Sequence, residues 1–306
     1  MSEVAVLLFA YGTPDNEEDI ESYLKDVRSG RPASPEFVQK LTQRYRSIGG
    51  RSPLLEITRA QASALERVLR EQGFSVRSYV GMKHWHPYIR EVVPEILKNR
   101  HEVLIAFALA PHYSTVSTGG YKIALEQALG SDVSMKIVFI ENWSDNPLFH
   151  LAVAEKIKDA LSKFPSQRDI HVIFTAHSLP ERILEMEDPY PKELKESCEA
   201  VAKLVGLKKW SFAYQSAGQT GEKWLGPDLL ESLNEISDKT VDAQVLVVPI
   251  GFVADHLEIL FDIDIEAQER AKKLGITLKR TESMNTSATF IAALADVVSN
   301  RLATFG

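Results

Sequence analysis

Two stretches of this chain carry residues whose types and spacing suit metal chemistry. In Thr175-Ala176-His177-Ser178-Leu179-Pro180 a histidine closes an apolar run, and the residues after it stop a strand and start a helix. A neutral imidazole is a ligand for divalent first-row metals and a base that titrates near neutrality. The alternative is a core histidine donating to a backbone carbonyl, and position alone weighs the two evenly. In the second stretch Glu258, Asp262 and Glu266 recur every four residues. On an α-helix four residues turn about 40° past a full turn, so the three carboxylates form one slowly drifting stripe. Such a stripe is most often a solvated face. Here Val253, Leu257, Ile259, Phe261 and Ile265 crowd the same segment, so part of it must be buried. Buried carboxylates need a cation, and oxygen ligands in a row suit the passage of a divalent ion.

Anionic groups find weaker candidates. Ser117-Thr118-Gly119-Gly120-Tyr121 precedes a helical pattern. It reads as an N-cap with N–H groups that suit a carboxylate. Ser52-Pro53 reads as a second cap with proline at the first helical position. Arg28, Arg31 and Arg44 are basic points in the first half. Surface solvation is the usual fate of an isolated arginine.

The elements that must position these residues follow from apolar runs. Runs at 4–10, 76–81, 103–110 and 137–141, then at 172–176, 211–214, 245–250 and 277–280, lack clean alternation. That suits parallel strands buried on both faces. Amphipathic segments separate them, as at 54–72, where Gly73 supplies the stop. Alternation of this kind predicts an α/β protein of two similar doubly wound, Rossmann-like domains, each a four-stranded parallel sheet flanked by helices. The boundary is expected near residue 145, between a 1–145 half and a 146–306 half that carries His177 and Glu258. The last helix, 287–302, could pack on either half.

In open α/β sheets ligands sit beyond the carboxyl ends of the strands. Those ends carry Tyr11, then Lys83-His84-Trp85, His112-Tyr113-Ser114, His177-Ser178, Tyr214-Gln215-Ser216 and Gly251–Glu258. Polar and aromatic groups at so many strand ends predict a large cleft between two domains. No strand leads into a Gly-x-Gly-x-x-Gly or Gly-x-x-x-x-Gly-Lys-Ser/Thr loop, so nucleotide binding has no motif behind it.

Composition narrows the class. The 306 residues are 44% hydrophobic and 25% charged, ordinary for a globular protein. A formal charge of −7 without a Lys/Arg run argues against nucleic acid as the partner. The single cysteine, Cys198, excludes an intramolecular disulfide or a cysteine-held cluster and reads as packing. No apolar run approaches the ~20 residues of a membrane span, and the N-terminus lacks the basic start of a signal peptide. These features predict a cytoplasmic enzyme without a membrane anchor. No exposed apolar repeat demands a partner, so a monomer is expected.

Taken together, five stretches resemble the ferrochelatase family along nearly the whole chain. They are Ala10-Tyr11-Gly12-Thr13-Pro14, the run from Arg44 to Gly50 with Ser52-Pro53-Leu54, Thr175 to Pro180, Trp224-Leu225-Gly226-Pro227-Asp228, and Gly251 to Glu258. The resemblance implies a two-lobed chelatase with porphyrin held between its lobes and Fe²⁺ as the metal inserted. It implies His177 and Glu258 as the metal-site pair, with Asp262 and Glu266 as an inner acidic row where a regulatory divalent ion such as Mg²⁺ could rest. Tyr11 falls where short bacterial members have a tyrosine facing the metal. Arg28, Arg44, Tyr45, Ser52 and Tyr121 match positions that hold the macrocycle and its propionates, and His84 lies near them. With one cysteine and a short C-terminus the chain is similar to the short bacterial type. Tyr11 points to coproporphyrin III as substrate rather than protoporphyrin IX, and no further cofactor is implied. The rival readings are a cobalt or nickel chelatase for a related tetrapyrrole, and a porphyrin or haem carrier without catalysis.

Overall fold

Strand formation follows the apolar runs closely. In the computed structural model, which describes residues 3–131, 134–166, 169–218 and 221–303, the first sheet is built from β1 (Val4–Ala10), β2 (Val76–Met82), β3 (Val103–Ala108) and β4 (Lys136–Ile140). The second comprises β5 (His171–His177), β6 (Trp210–Gln215), β7 (Gln244–Val248) and β8 (Thr277–Arg280). All pairings are parallel, and the two sheets share one order: β2-β1-β3-β4 and β6-β5-β7-β8. In β1, all six residues from Ala5 to Ala10 are buried. Such a strand has helices on both faces, which is why its sequence does not alternate.

The first-half helices are α1 (Ile20–Val27), α2 (Pro35–Ser47), α3 (Leu54–Glu71), α4 (Ile89–Lys98) and α5 (Gly119–Leu129). The second half adds α6 (Pro147–Ser162), α7 (Tyr190–Val205), α8 (Leu229–Lys239) and α9 (Gln268–Lys273), and the chain closes with α10 (Ala288–Leu302). One unit comprises residues 1–143, 254–257 and 285–306, the other 144–253 and 258–284. The last helix therefore belongs with the first unit, as does the short segment before Glu258. Each unit has its own core. Leu7, Phe9, Val93 and Ile96 pack in the first, and Ile173, Leu233, Val247 and Ile263 in the second. Cys198 is buried in α7, where burial pushes its thiol pKa up, as an inert packing residue requires. Among the described residues no helix is long and apolar enough to cross a membrane.

Three local expectations need correction. Helix α3 starts at Leu54, where the amphipathic run begins, but Pro53 stands at the cap position rather than at the first helical position, because Pro53 (ψ 4°) lies outside the helical run. Ser52 still accepts a 3.3 Å hydrogen bond from the Leu54 N–H. Thr118 does occupy the cap of α5, but its hydroxyl turns back, donating to the Ser114 carbonyl (3.0 Å) and accepting from the Ser114 N–H (2.7 Å). The Gly119, Gly120 and Tyr121 amides already donate to backbone carbonyls, so this helix start offers a carboxylate little. Finally, the acidic segment Glu258–Ala267 is a π-helix, not an α-helix. Its i→i+5 bonds widen the turn, so residues four apart fall just short of a full turn rather than past it. The stripe survives, drifting with the opposite hand.

Candidate active site

In each sheet the strand order reverses beside the first strand of that half, the position where doubly wound folds bind ligands. Tyr11 follows β1 and His177 ends β5, so the two occupy equivalent places in the two units.

His177 is oriented from both sides. Its Nδ1–H donates to the Ser178 carbonyl, which can only accept, so Nδ1 carries a proton. Nε2 is the nitrogen directed at Glu258, 3.6 Å from Oε1. In the neutral ring that nitrogen bears the lone pair; in the protonated ring it faces a carboxylate. The buried Tyr190 hydroxyl donates to the His177 carbonyl at 2.9 Å and pins the end of the strand. Burial, with the negative charges of Glu258 and Asp188 nearby, pushes the Tyr190 pKa up, so this donor keeps its proton. The Trp224 ring lies 6.3 Å from the imidazole.

The 3.6 Å separation is longer than a hydrogen bond but suits a shared ion. Bonds of about 2.1 Å to both atoms would subtend about 118° at a metal across that 3.6 Å gap. The two side chains are 33% and 30% exposed, so the pair is reachable. Among the described residues no group of three or more His, Cys, Asp and Glu side chains is gathered to hold a metal. A pair offers two ligands and leaves the others to whatever molecule brings or takes the ion.

Behind Glu258 no side chain of the π-helix is fully exposed, and Asp262 is 5% exposed. The solvated-face reading is therefore wrong for this segment. Ile259, Ile263 and Ala267 enter the core at the same four-residue spacing, one position after each acid, and this holds the acidic stripe against the protein. The Ser216 hydroxyl donates to Asp262. Gln215, at the end of β6, donates to the Glu258 carbonyl at 3.2 Å, and its own carbonyl oxygen is buried without a partner.

The first unit gathers a second set. The Tyr11 residue is 43% exposed, and its ring lies 4.6 Å from that of His84. Gly12 allows this approach: its φ is +102°, and a Cβ there would lie 2.8 Å from the Trp85 nitrogen. The Tyr45 hydroxyl and the Thr13 hydroxyl are 2.9 Å apart, anchoring the same loop. Arg28 caps α1 with a buried Nε that has no hydrogen-bond partner. Arg44 lies half-buried in the last turn of α2, and Ser52 is buried. Tyr121 is more deeply placed than its sequence position suggests, stacked on Phe9 with Lys83 over its ring at 5.4 Å. Asp26 and Tyr190 join these sets without having been singled out in sequence, and Lys83, Gln215 and Ser216 were named only as strand-end residues. Lys83, Gln215 and Ser216 stand at strand ends, the one signal available; Asp26 and Tyr190 carried none.

The fold is that of tetrapyrrole chelatases. SirB from Bacillus subtilis, solved with Fe³⁺, superposes with a TM-score of 0.58 at 12% identity, over 97% of this chain and 94% of that one. CbiX, described as the terminal enzyme of sirohaem biosynthesis in denitrifying bacteria, gives 0.52 at 9% identity, over 97% and 98%. Sequence narrows the class. The ferrochelatase family model matches residues 3–302. The ferrochelatase of Herpetosiphon aurantiacus is 42% identical over 98% of this chain and 99% of its own. The coproporphyrin III ferrochelatase of Bacillus subtilis is 37% identical over 98% of each. This chain belongs to the ferrochelatase family, the porphyrin metal-chelating lyases of haem biosynthesis.

Proposed function

We propose that the protein inserts Fe²⁺ into coproporphyrin III, with His177 and Glu258 as the working pair at the metal. The observation that carries this reading is the Nε2 to Oε1 spacing of 3.6 Å, at the end of β5, with the imidazole proton fixed on Nδ1. Insertion exchanges two pyrrole protons for the ion. A flat macrocycle cannot present its nitrogens while both N–H groups lie in its plane, so contacts at the ring's edge must hold it bent. His177 Nε2 accepts a pyrrole proton or hands over the metal, and Glu258 balances the imidazolium that results. Asp262 and Glu266 lead from Glu258 along the π-helix and conduct a proton outward or a divalent ion inward; a resting Mg²⁺ is the further role we assign them.

Four propionates distinguish coproporphyrin III from protoporphyrin IX, which has two. Arg28 with its unpartnered Nε, Arg44, Tyr45, Ser52 and Tyr121 are the groups we assign to the ring and its carboxylates, with His84 beside Tyr11. Several Bacillus-type relatives named for coproporphyrin III support that substrate, while relatives at 42% identity are named simply as ferrochelatases, a name that specifies no porphyrin. Anaerobic metallation of each porphyrin, followed by absorbance, tests the proposal. A higher kcat/KM with coproporphyrin III is expected. Preference for protoporphyrin IX would overturn the substrate, and binding of both without metallation would leave a carrier.

A further inference from the structure

Asp26, at the end of α1, reaches a residue 58 positions away. Its Oδ1 lies 2.8 Å from His84 Nδ1. An ionised carboxylate only accepts, so the ring nitrogen is the donor. The imidazole side chain is 15% exposed and the Asp26 side chain 29%. Two charged groups act on the ring, Asp26 and the preceding Lys83, and the Tyr11 ring packs against it. Burial is the largest influence and holds the His84 pKa below its ordinary value; Asp26 opposes that shift and Lys83 adds to it. With Asp26 accepting at Nδ1, the neutral His84 ring carries its proton there and its lone pair on Nε2. Asp26 also borders a surface cavity of about 680 Å³, with Ser22, Lys25, Tyr88 and Arg90 among its walls.

We propose that Asp26 is a positioning residue: it keeps the His84 proton on Nδ1, so that Nε2 holds a lone pair beside Tyr11 and accepts one of the two pyrrole protons displaced by the metal. This rests on the porphyrin-metallation reading above. In the step, a pyrrole N–H bond breaks and its electron pair stays on the pyrrole nitrogen, where it bonds the metal. An N–H bond forms at His84 Nε2, and the Asp26 carboxylate balances the imidazolium. The proton then leaves from Nε2 to water, which restores the ring protonated on Nδ1 against Asp26.

The test compares the wild type with Asp26→Asn, Asp26→Ala and Asp26→Glu. Histidine-labelled protein is followed by ¹H–¹⁵N NMR from about pH 5 to 9, where imidazole titrates, together with kcat against pH and porphyrin binding by fluorescence. The wild type should show His84 protonated on Nδ1 alone. Asp26→Asn keeps an acceptor but removes the charge, so the acid limb of kcat moves to lower pH. Asp26→Ala mixes the tautomers and lowers kcat about tenfold, the scale of losing an imidazole's outer partner, with porphyrin affinity within about twofold of wild type. Asp26→Glu recovers part of the rate. An unchanged His84 spectrum and pH profile in Asp26→Ala would overturn the proposal. So would a fall in rate matched by lost porphyrin binding with no shift in the profile. Failure of the wild type to metallate any porphyrin would overturn the underlying reading and the proton transfer with it, while the tautomer spectra would still decide whether Asp26 holds His84.

Discussion

Gly251 is the tightest point behind the metal-site pair, and replacing it with alanine should separate activity from binding. An added Cβ would sit 2.5 Å from the Ala176 Cβ and 2.9 Å from its Cα. Carbon atoms rest about 3.5–4.0 Å apart, so the end of β5 and the loop after β7 must part by roughly 1 Å. Neither neighbour is a flexible side-chain tip. The Gly251 N–H also donates to the Thr175 carbonyl at 3.1 Å, so parting strains that bond. Overpacking of this kind costs about 1–3 kcal/mol, which a urea midpoint would register. The displaced residue is next to His177, and a misplacement of about 1 Å at reacting groups costs on the order of 100-fold in rate. Porphyrin affinity should change little, because the contacts assigned to the ring are spread over other elements. Gly221→Ala is the control: nothing lies within 4 Å of its Cβ, so stability should stay within about 0.5 kcal/mol. Wild-type kcat and stability in Gly251→Ala would refute the argument that close packing there sets the position of His177.

Other perturbations have expected signs. Asn285 accepts from the Asp255 N–H (3.0 Å) and donates to its carboxylate (2.8 Å), while Gln61 donates to the Asn285 carbonyl (2.9 Å). Asn285→Asp sets two carboxylates together and should cost about 1–3 kcal/mol; adding Asp255→Asn reverses donor and acceptor and should recover most of it, whereas additive losses in urea melts would contradict the reciprocal pair. Burial pushes the Tyr214 pKa up to about 12, with Cys198 adding to the shift. A group raised on folding contributes fully below its unfolded pKa and loses that contribution as pH rises. Stability should therefore fall from about pH 10 towards about pH 12, and Tyr214→Phe should flatten that slope in melts taken across the alkaline range.

Much of the fold was legible because its physical cause is local. The β1 run is apolar at every position from Val4 to Ala10, and β8 is bounded by Gly275 and the polar residues after Arg280, so both strands fall where the runs place them. Strand ends are less sharp: Leu109 and Ala110 continue the apolar run past β3 although the ladder stops at Ala108. The π-helix was not legible, because acids and apolar residues spaced by four satisfy an α-helix equally well. His177 and Glu258 stood out through the strand end and the acidic spacing. The groups that hold the site side chains and backbone did not: Tyr190 reaches the His177 carbonyl, Gln215 reaches that of Glu258, and Asp26 meets His84 across 58 residues. Nothing in local composition encodes such contacts; only the packed sheets do.

The most direct test of the metal-site assignment is anaerobic Fe²⁺ insertion by wild type and His177→Ala, with porphyrin binding measured on the same samples. If Nε2 of His177 opposite Glu258 is where metal and proton change places, the variant binds porphyrin about as tightly as the wild type and inserts no iron. Insertion at the wild-type rate by His177→Ala would contradict it.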